Sequence, residues 1–157
     1  MTSATGNSPK AEDVSVESAR KKDFPEILAL LGRSRLPEDG VADHVATTIV
    51  ARAGGHVVGS AALELYGGDA LLRSVVVEEG LRGQGLGKRL THAALDLARR
   101  RKVETVFLLT ETAAEFFSKF GFVLVQRSEV PRTVQSSVEF TSACPVSALV
   151  MMLHLEK

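Results

Sequence analysis

Residues 75–97, VVVEEGLRGQGLGKRLTHAALDL, limit what this chain can fold into more than any other stretch. Three β-branched residues close an apolar run, a short polar turn follows, and Arg82, Gly83, Gln84, Gly85, Leu86 and Gly87 lead straight into a helical pattern. Leu86, Leu90, Ala94 and Leu97 recur at the spacing of one buried helix face. A strand, a glycine loop and a helix N-terminus in series leave backbone N–H groups without intrahelical partners, at the positive end of the helix dipole. Glycines let such a backbone turn sharply and approach a ligand closely. The expected guest is a phosphate or pyrophosphate. Arg99, Arg100, Arg101 and Lys102 suit the C-terminal end of the helix, whereas Lys88 and Arg89 crowd its first turn, a conflict that a bound anion would relieve. No Gly-Lys-Ser/Thr follows a four-residue gap, and the spacing is not Gly-x-Gly-x-x-Gly, so neither familiar nucleotide loop is present.

Charge and cysteine content narrow the rest. Nineteen Lys plus Arg balance nineteen Asp plus Glu, which removes any global pull toward nucleic acid or membrane. One cysteine, Cys144, excludes an internal disulfide framework and fits a reducing, cytoplasmic setting. No apolar run approaches the length of a membrane span, and no basic-then-apolar stretch resembling a signal peptide opens the chain. At 157 residues, one domain is expected. Residues 1–13 read as a disordered tail and residues 14–157 as the domain.

Taken in order, residues 14–19 predict a first strand. Asp23 is placed to cap a helix with Pro25 in its first turn and Phe24, Ile27, Leu28 and Leu31 on one face, ending near Gly32. Residues 33–40 are a loop and 41–45 a helical turn, with His44 either loop-facing or in a substrate pocket. Strands over 47–53, 56–65 and 70–77, joined by Gly54-Gly55 and by residues 66–69, make an antiparallel meander. The run 104–110 after the helix implies a right-handed crossover and a parallel neighbour. Thr112 is expected to cap a helix carrying Ala113, Phe116, Phe117 and Phe120, closed by Gly121. A short strand at 122–125, a long polar loop over 128–145 with a helical turn near 134–140, and a last strand at 147–155 complete an α+β sheet protein.

These features resemble the GNAT superfamily of N-acetyltransferases from residue 14 onward. The resemblance rests on Val75-Val76-Val77, on the loop Arg82 to Gly87, and on residues 113–122 ending Phe120-Gly121-Phe122. It implies a mixed central sheet flanked by helices, with an antiparallel meander and then parallel strands splayed at an acetyl-CoA site. Backbone groups of Val75, Val76 and Val77 would pair with the acetyl-pantetheine arm, and amides of Arg82, Gly83, Gln84, Gly85, Leu86, Gly87 and Lys88 would hold the pyrophosphate. Thr110 falls where an asparagine often faces pantetheine, and Phe117 where many members carry a thiolate-protonating tyrosine. Residues 71–77 and 129–148 also resemble N-acetyltransferases found beside arsenic-resistance genes, a subgroup similar to phosphinothricin acetyltransferases. That implies an amino-acid-like acceptor bearing an arsenic or phosphorus oxyacid, such as arsinothricin.

Acetyl transfer needs a neutral amine, a polarised carbonyl and a base within reach of the amine. Glu64 and Glu111 are the favoured bases, with Glu78 and Glu139 also near strand ends. Arg73 and Ser74 are the expected acceptor contacts. Arg73, two residues before Val75 and so on its face of the strand, either binds an oxyanion through paired hydrogen bonds or forms a strand-edge ion pair. Arg127 and Arg132 are weaker candidates. Cys144 reads as structural, because trivalent arsenic needs several converging thiols. No metal is expected. The partner is a small-molecule amine, with no nucleic acid or membrane, and a homodimer is compatible. The alternatives are a protein or peptide N-acetyltransferase and a non-catalytic acyl-CoA-binding module.

Overall fold

The structure, a computed structural model, describes residues 13–155; all but the last residue of the expected tail lies outside them. Seven strands form one sheet: β1 (Ser15–Ser18), β2 (Thr48–Ala53), β3 (His56–Tyr66), β4 (Asp69–Val77), β5 (Thr105–Thr110), β6 (Val123–Val125) and β7 (Leu149–His154). Their spatial order is β1-β2-β3-β4-β5-β7-β6, and β4 with β5 is the one parallel pair among them. The crossover between those two is α2 (Leu86–Arg100). The other helices are α1 (Phe24–Arg33), α3 (Ala114–Ser118) and α4 (Arg132–Gln135), with a 3-10 turn over Val41–Thr47 and a π-helical turn over Glu139–Ala143. The mixed α+β architecture expected from the sequence is the one observed.

Both faces of the sheet are covered. On one, α2 buries Leu86, Leu90, Ala94, Leu95 and Ala98 against Leu63, Leu72 and Leu108. Leu97, expected on that face, is only half-buried; Leu95 and Ala98 take its place. On the other face, Ile27, Leu30 and Leu31 of α1 pack on Val50, Val57 and Val76. Val130 and Val134, at α4, cover Leu71, Phe107 and Val150. The long polar loop is thus anchored to the sheet by two valines.

Two expected helix caps are not formed. Asp23 precedes α1 but makes no side-chain capping bond to it. Its carboxylate accepts from Nη1 and Nη2 of Arg52, both at 2.9 Å, and from the backbone N–H of Arg20 at 2.8 Å. Thr112 does not cap α3 either. The Ala113 N–H donates to Thr110 Oγ1 at 2.9 Å, α3 starts at Ala114, and it stops at Ser118, before Phe120.

The β4 strand is irregular where it matters. Its register with β3 shifts between Ser60 and Ala62, which pair with Val76 and Arg73. Ser74, inside this bulge, has φ = 57°, a strained setting for a residue with a Cβ, and its carbonyl accepts from Ser60 Oγ at 2.6 Å. Alternation therefore breaks: Val75 packs toward the α2 side, while Arg73 joins Glu64 on the other. The expectation that Arg73 and Val75 share a face is overturned by this bulge. On its other side, β4 pairs with β5 only from Asp69 to Leu72. Beyond Leu72 the two strands part.

Candidate active site

The parting of β4 from β5 opens a cleft of about 1070 Å³. Val75, Val76 and Val77 form one wall, the ends of β5 and α3 the other, and Gly83, Gly85, Leu86, Gly87 and Lys88 close one end. Arg82 also lines it and turns its Nε back to the Val77 carbonyl at 2.9 Å, tying the loop to the strand end. Gln84 is not among the lining residues. Gly83 and Gly85 have φ of 83° and 84°, and a Cβ built on either meets nothing within 4 Å. The backbone shape, rather than crowding within the protein, requires these two glycines. Gly87 differs: its φ is ordinary, and a Cβ there would touch Phe116 at 3.4 Å. Gly85 sits at the N-cap of α2 and supplies no capping side chain, so the N–H groups of the first turn remain for a ligand.

The model of the acetyltransferase (GNAT) domain family matches residues 44–124, which span the meander, this loop, α2 and α3. The chain belongs to the GNAT acetyltransferase family. An amino-acid acetyltransferase of Mycobacterium tuberculosis is 35% identical over 82 residues, 51% of this chain and 46% of that protein, so the match spans about half of either. Among solved structures, Mycobacterium tuberculosis Rv2747 in complex with CoA and NLQ has a TM-score of 0.78 at 27% identity, over 90% of this chain and 99% of that one. N-acetylglutamate synthase from Neisseria gonorrhoeae, complexed with coenzyme A and N-acetyl-glutamate, has a TM-score of 0.79 at 22% identity, over 92% of this chain and 35% of that one, a likeness of fold.

Within this GNAT domain, Thr110 and Phe117 both line the cleft. Thr110 spends its hydroxyl oxygen on the turn into α3. Phe117 is buried edge-on against Phe116 and Phe122, with ring centroids 5.0 and 5.9 Å away. The tyrosine of the chain offers no substitute donor. Tyr66 gives its hydroxyl to Glu64, and burial together with that carboxylate pushes its pKa up to about 12.

Arg73 does not present a free guanidinium to a substrate anion. Its side chain is fully buried; Nη1 donates to Glu64 Oε2 at 2.7 Å, Nε to Ser74 Oγ at 3.2 Å, and Nη2 lies 3.4 Å from both the Pro37 carbonyl and Glu139 Oε2. It is the ion-pair alternative that the geometry supports, with two carboxylates rather than one. Ser74 remains in the cleft wall.

The favoured bases separate. Glu64 is 1% exposed and lies behind Arg73, outside the cleft lining. Burial alone would raise its pKa, but hydrogen bonds from Ser137, Tyr66 and Arg73, with His44 Nε2 at 3.7 Å, hold it below the usual range. Both of its oxygens are thus already engaged, Oε1 by Tyr66 and Oε2 by Arg73. Glu111 is exposed at the cleft mouth. Glu139 has the qualities that Glu64 lacks. It lines the cleft, is 5% exposed, and burial pushes its carboxyl above the usual range, helped by Glu64 and Asp39 and opposed by Arg73 and Cys144. Cys144 Sγ lies 3.4 Å from Glu139 Oε1; burial and that carboxylate push the thiol up to about 12, so it stays protonated at neutral pH. Among the described residues, no group of three or more His, Cys, Asp or Glu could hold a metal ion.

Proposed function

We propose that this protein transfers the acetyl group of acetyl-CoA to the amine of a small amino-acid acceptor. The observation that carries this reading is the cleft itself: a strand that leaves its parallel neighbour, ending at a glycine loop held in left-handed backbone at an uncapped helix N-terminus. The pantetheine arm would run along Val75–Val77, and amides of the loop and of the first turn of α2 would take the pyrophosphate. Backbone N–H groups on the splayed strand would polarise the thioester carbonyl. The acceptor class is drawn from the relatives that act on or bind amino acids. An arsenic or phosphorus oxyacid acceptor loses its main support, because Arg73 is already held by Glu64 and Glu139. A non-catalytic acyl-CoA-binding module is favoured by one feature, the absence of a hydroxyl at Phe117.

Calorimetry of CoA with the wild type and Gly85→Val tests the site. A β-branched residue at φ = 84° carries strain of about 1–3 kcal/mol and places methyl groups where phosphate would lie, so affinity should fall at least tenfold in a folded protein. Lys88→Ala should cost less, since it removes one screened charge. Release of CoA thiol with a panel of L-glutamate, L-glutamine, phosphinothricin and a peptide N-terminus then separates enzyme from binding module. Unchanged CoA affinity in Gly85→Val would remove the assignment.

A further inference from the structure

We propose that Glu139 is the proton acceptor for the incoming amine, and that the acceptor arrives at this end of the cleft as an ammonium ion. The inference rests on the acetyl-transfer reading above and names the base for it.

Three observations converge on this residue. The first is position. Glu139 shares the cleft lining with Ser74 and Val75 of the splayed strand and with Glu111 and Cys144. The second is charge. Glu64, Arg73 and Glu139 form one buried group, with one positive charge between two carboxylates. Glu64 takes the shorter bond to the guanidinium, 2.7 Å against 3.4 Å, and has Tyr66 as a further donor. When Glu139 ionises, the group carries a net negative charge that faces the cleft through Glu139. Such a site attracts a cation, the opposite of the anion that Arg73 by itself would draw.

The third is the titration environment, read from every side of the carboxyl. Arg73 on β4 and the Cys144 thiol favour the ionised form; Glu64 on β3, Asp39 in the loop after α1, and burial oppose it, and the balance lies above the ordinary carboxyl. Its own N–H is held by Ser137 Oγ at 3.1 Å, which fixes the start of the π-helical turn. A base raised toward neutrality takes a proton from an ammonium far better than an ordinary surface carboxylate does.

The step balances as follows. The acceptor ammonium gives one proton to the Glu139 carboxylate and becomes a neutral amine. Its lone pair forms the C–N bond at the thioester carbonyl. Collapse breaks the C–S bond, the departing thiolate takes a second proton from the same nitrogen, and Glu139 returns its proton to water. One proton is released per acetyl group moved.

The test is steady-state thiol release at saturating acetyl-CoA, with the fastest amino acid of the panel, across pH, for the wild type, Glu139→Gln, Glu139→Asp and Glu111→Gln. Glu139→Gln should lower kcat/KM by about 100-fold or more and move the acid limb of the profile up to the pKa of the free amine, away from the limb that the carboxyl sets. Glu139→Asp should regain part of the rate and keep that limb. A Glu111→Gln variant that loses the carboxyl-set limb while Glu139→Gln keeps it would assign the base to Glu111 and overturn this inference. Hydroxylamine, whose nitrogen is already neutral near pH 7, should be acetylated nearly equally by wild type and Glu139→Gln, a result that a merely structural role would not produce. CoA affinity by calorimetry reports that the variants are folded. An active wild type with a Glu139→Gln variant that keeps its rate and acid limb would overturn this inference alone. A wild type that binds CoA but releases no thiol with any amine would overturn the enzymatic reading and this inference together.

Discussion

Two arginines in this protein each bridge two carboxylates, and they do so to different ends. Arg52 holds Asp23 through both terminal nitrogens at 2.9 Å and Glu17 through Nε. Asp23 is driven down to about 2 by its bond to Arg52, while Glu17 keeps 40% of its side chain in water. Every charge there has a partner or a hydration shell. Arg73 has both carboxylates buried, and it serves Glu64 far better than Glu139. The edge triad ties β1, β2 and the start of α1 together. The cleft triad ties β3, β4 and the Glu139 turn together and leaves one carboxyl undersatisfied toward the cleft. Incomplete pairing at a cleft is a more informative sign of function than the presence of charges there.

The comparison can be broken by deleting each arginine's role in turn. Arg73→Ala should give the largest effect, a loss of about 3–5 kcal/mol in urea unfolding, because two buried carboxylates lose their shared cation. Selective loss of acceptor binding with unchanged stability would mean that Arg73 contacts substrate after all. Asp23→Ala should cost less, about 2–3 kcal/mol, since Glu17 still neutralises Arg52; acetyl-CoA affinity should hold at temperatures where the variant is folded.

Acid sharpens the contrast. The Asp23 pKa is depressed, so its contribution is present above the unfolded value of 3.8 and is lost as pH falls toward about 2. The Glu139 pKa is raised, so its contribution has the opposite sign: full below the unfolded value of 4.5 and lost as pH rises through the folded one. Glu139→Gln should therefore stabilise the protein at neutral pH, raising its midpoint in thermal or urea unfolding, even as it loses activity. Destabilisation instead would show that Arg73 needs this carboxylate structurally. The smallest effect is expected from Arg33→Ala. Its 2.8 Å bridge to Glu78 is largely exposed, and removal should change stability by less than about 1 kcal/mol, vanishing in high salt.

The order of strands and helices was readable because its signals are local: alternation in residues 48–77, two glycine turns, and helical spacing from Leu86. The glycine-loop end of the cleft was readable for the same reason, since loop and helix are contiguous in the chain. Asp23 and Thr112 misled because a capping residue looks the same whether its side chain turns to its own helix or elsewhere, and the rivals, Arg52 and the hydroxyl of Thr110, declare themselves only in the folded sheet. Arg73 stayed open between two readings: an arginine on the strand before the glycine loop suits an anion receptor and an ion pair equally until Glu139 is brought across from the far end of the chain. The bulge at Ser74 carries no signature in a run of β-branched residues, yet it decides which face Arg73 takes. Glu139 stood among four carboxylates near strand ends, and only burial inside the cleft separates it from the rest.

The parting of β4 from β5 after Leu72 also bears on how the chain behaves before it meets a ligand. A free strand edge is where a stray segment of another chain adds, and proteins blunt such edges at the rim of a sheet. Here the edge lies in the middle. Phe116, Phe117, Cys144, Pro145 and Ala148 line that gap, so side chains crowd the free edge. The seam that admits a slender ligand lengthwise thereby refuses a second sheet. Widening the gap at Phe117 should therefore raise aggregation along with ligand access.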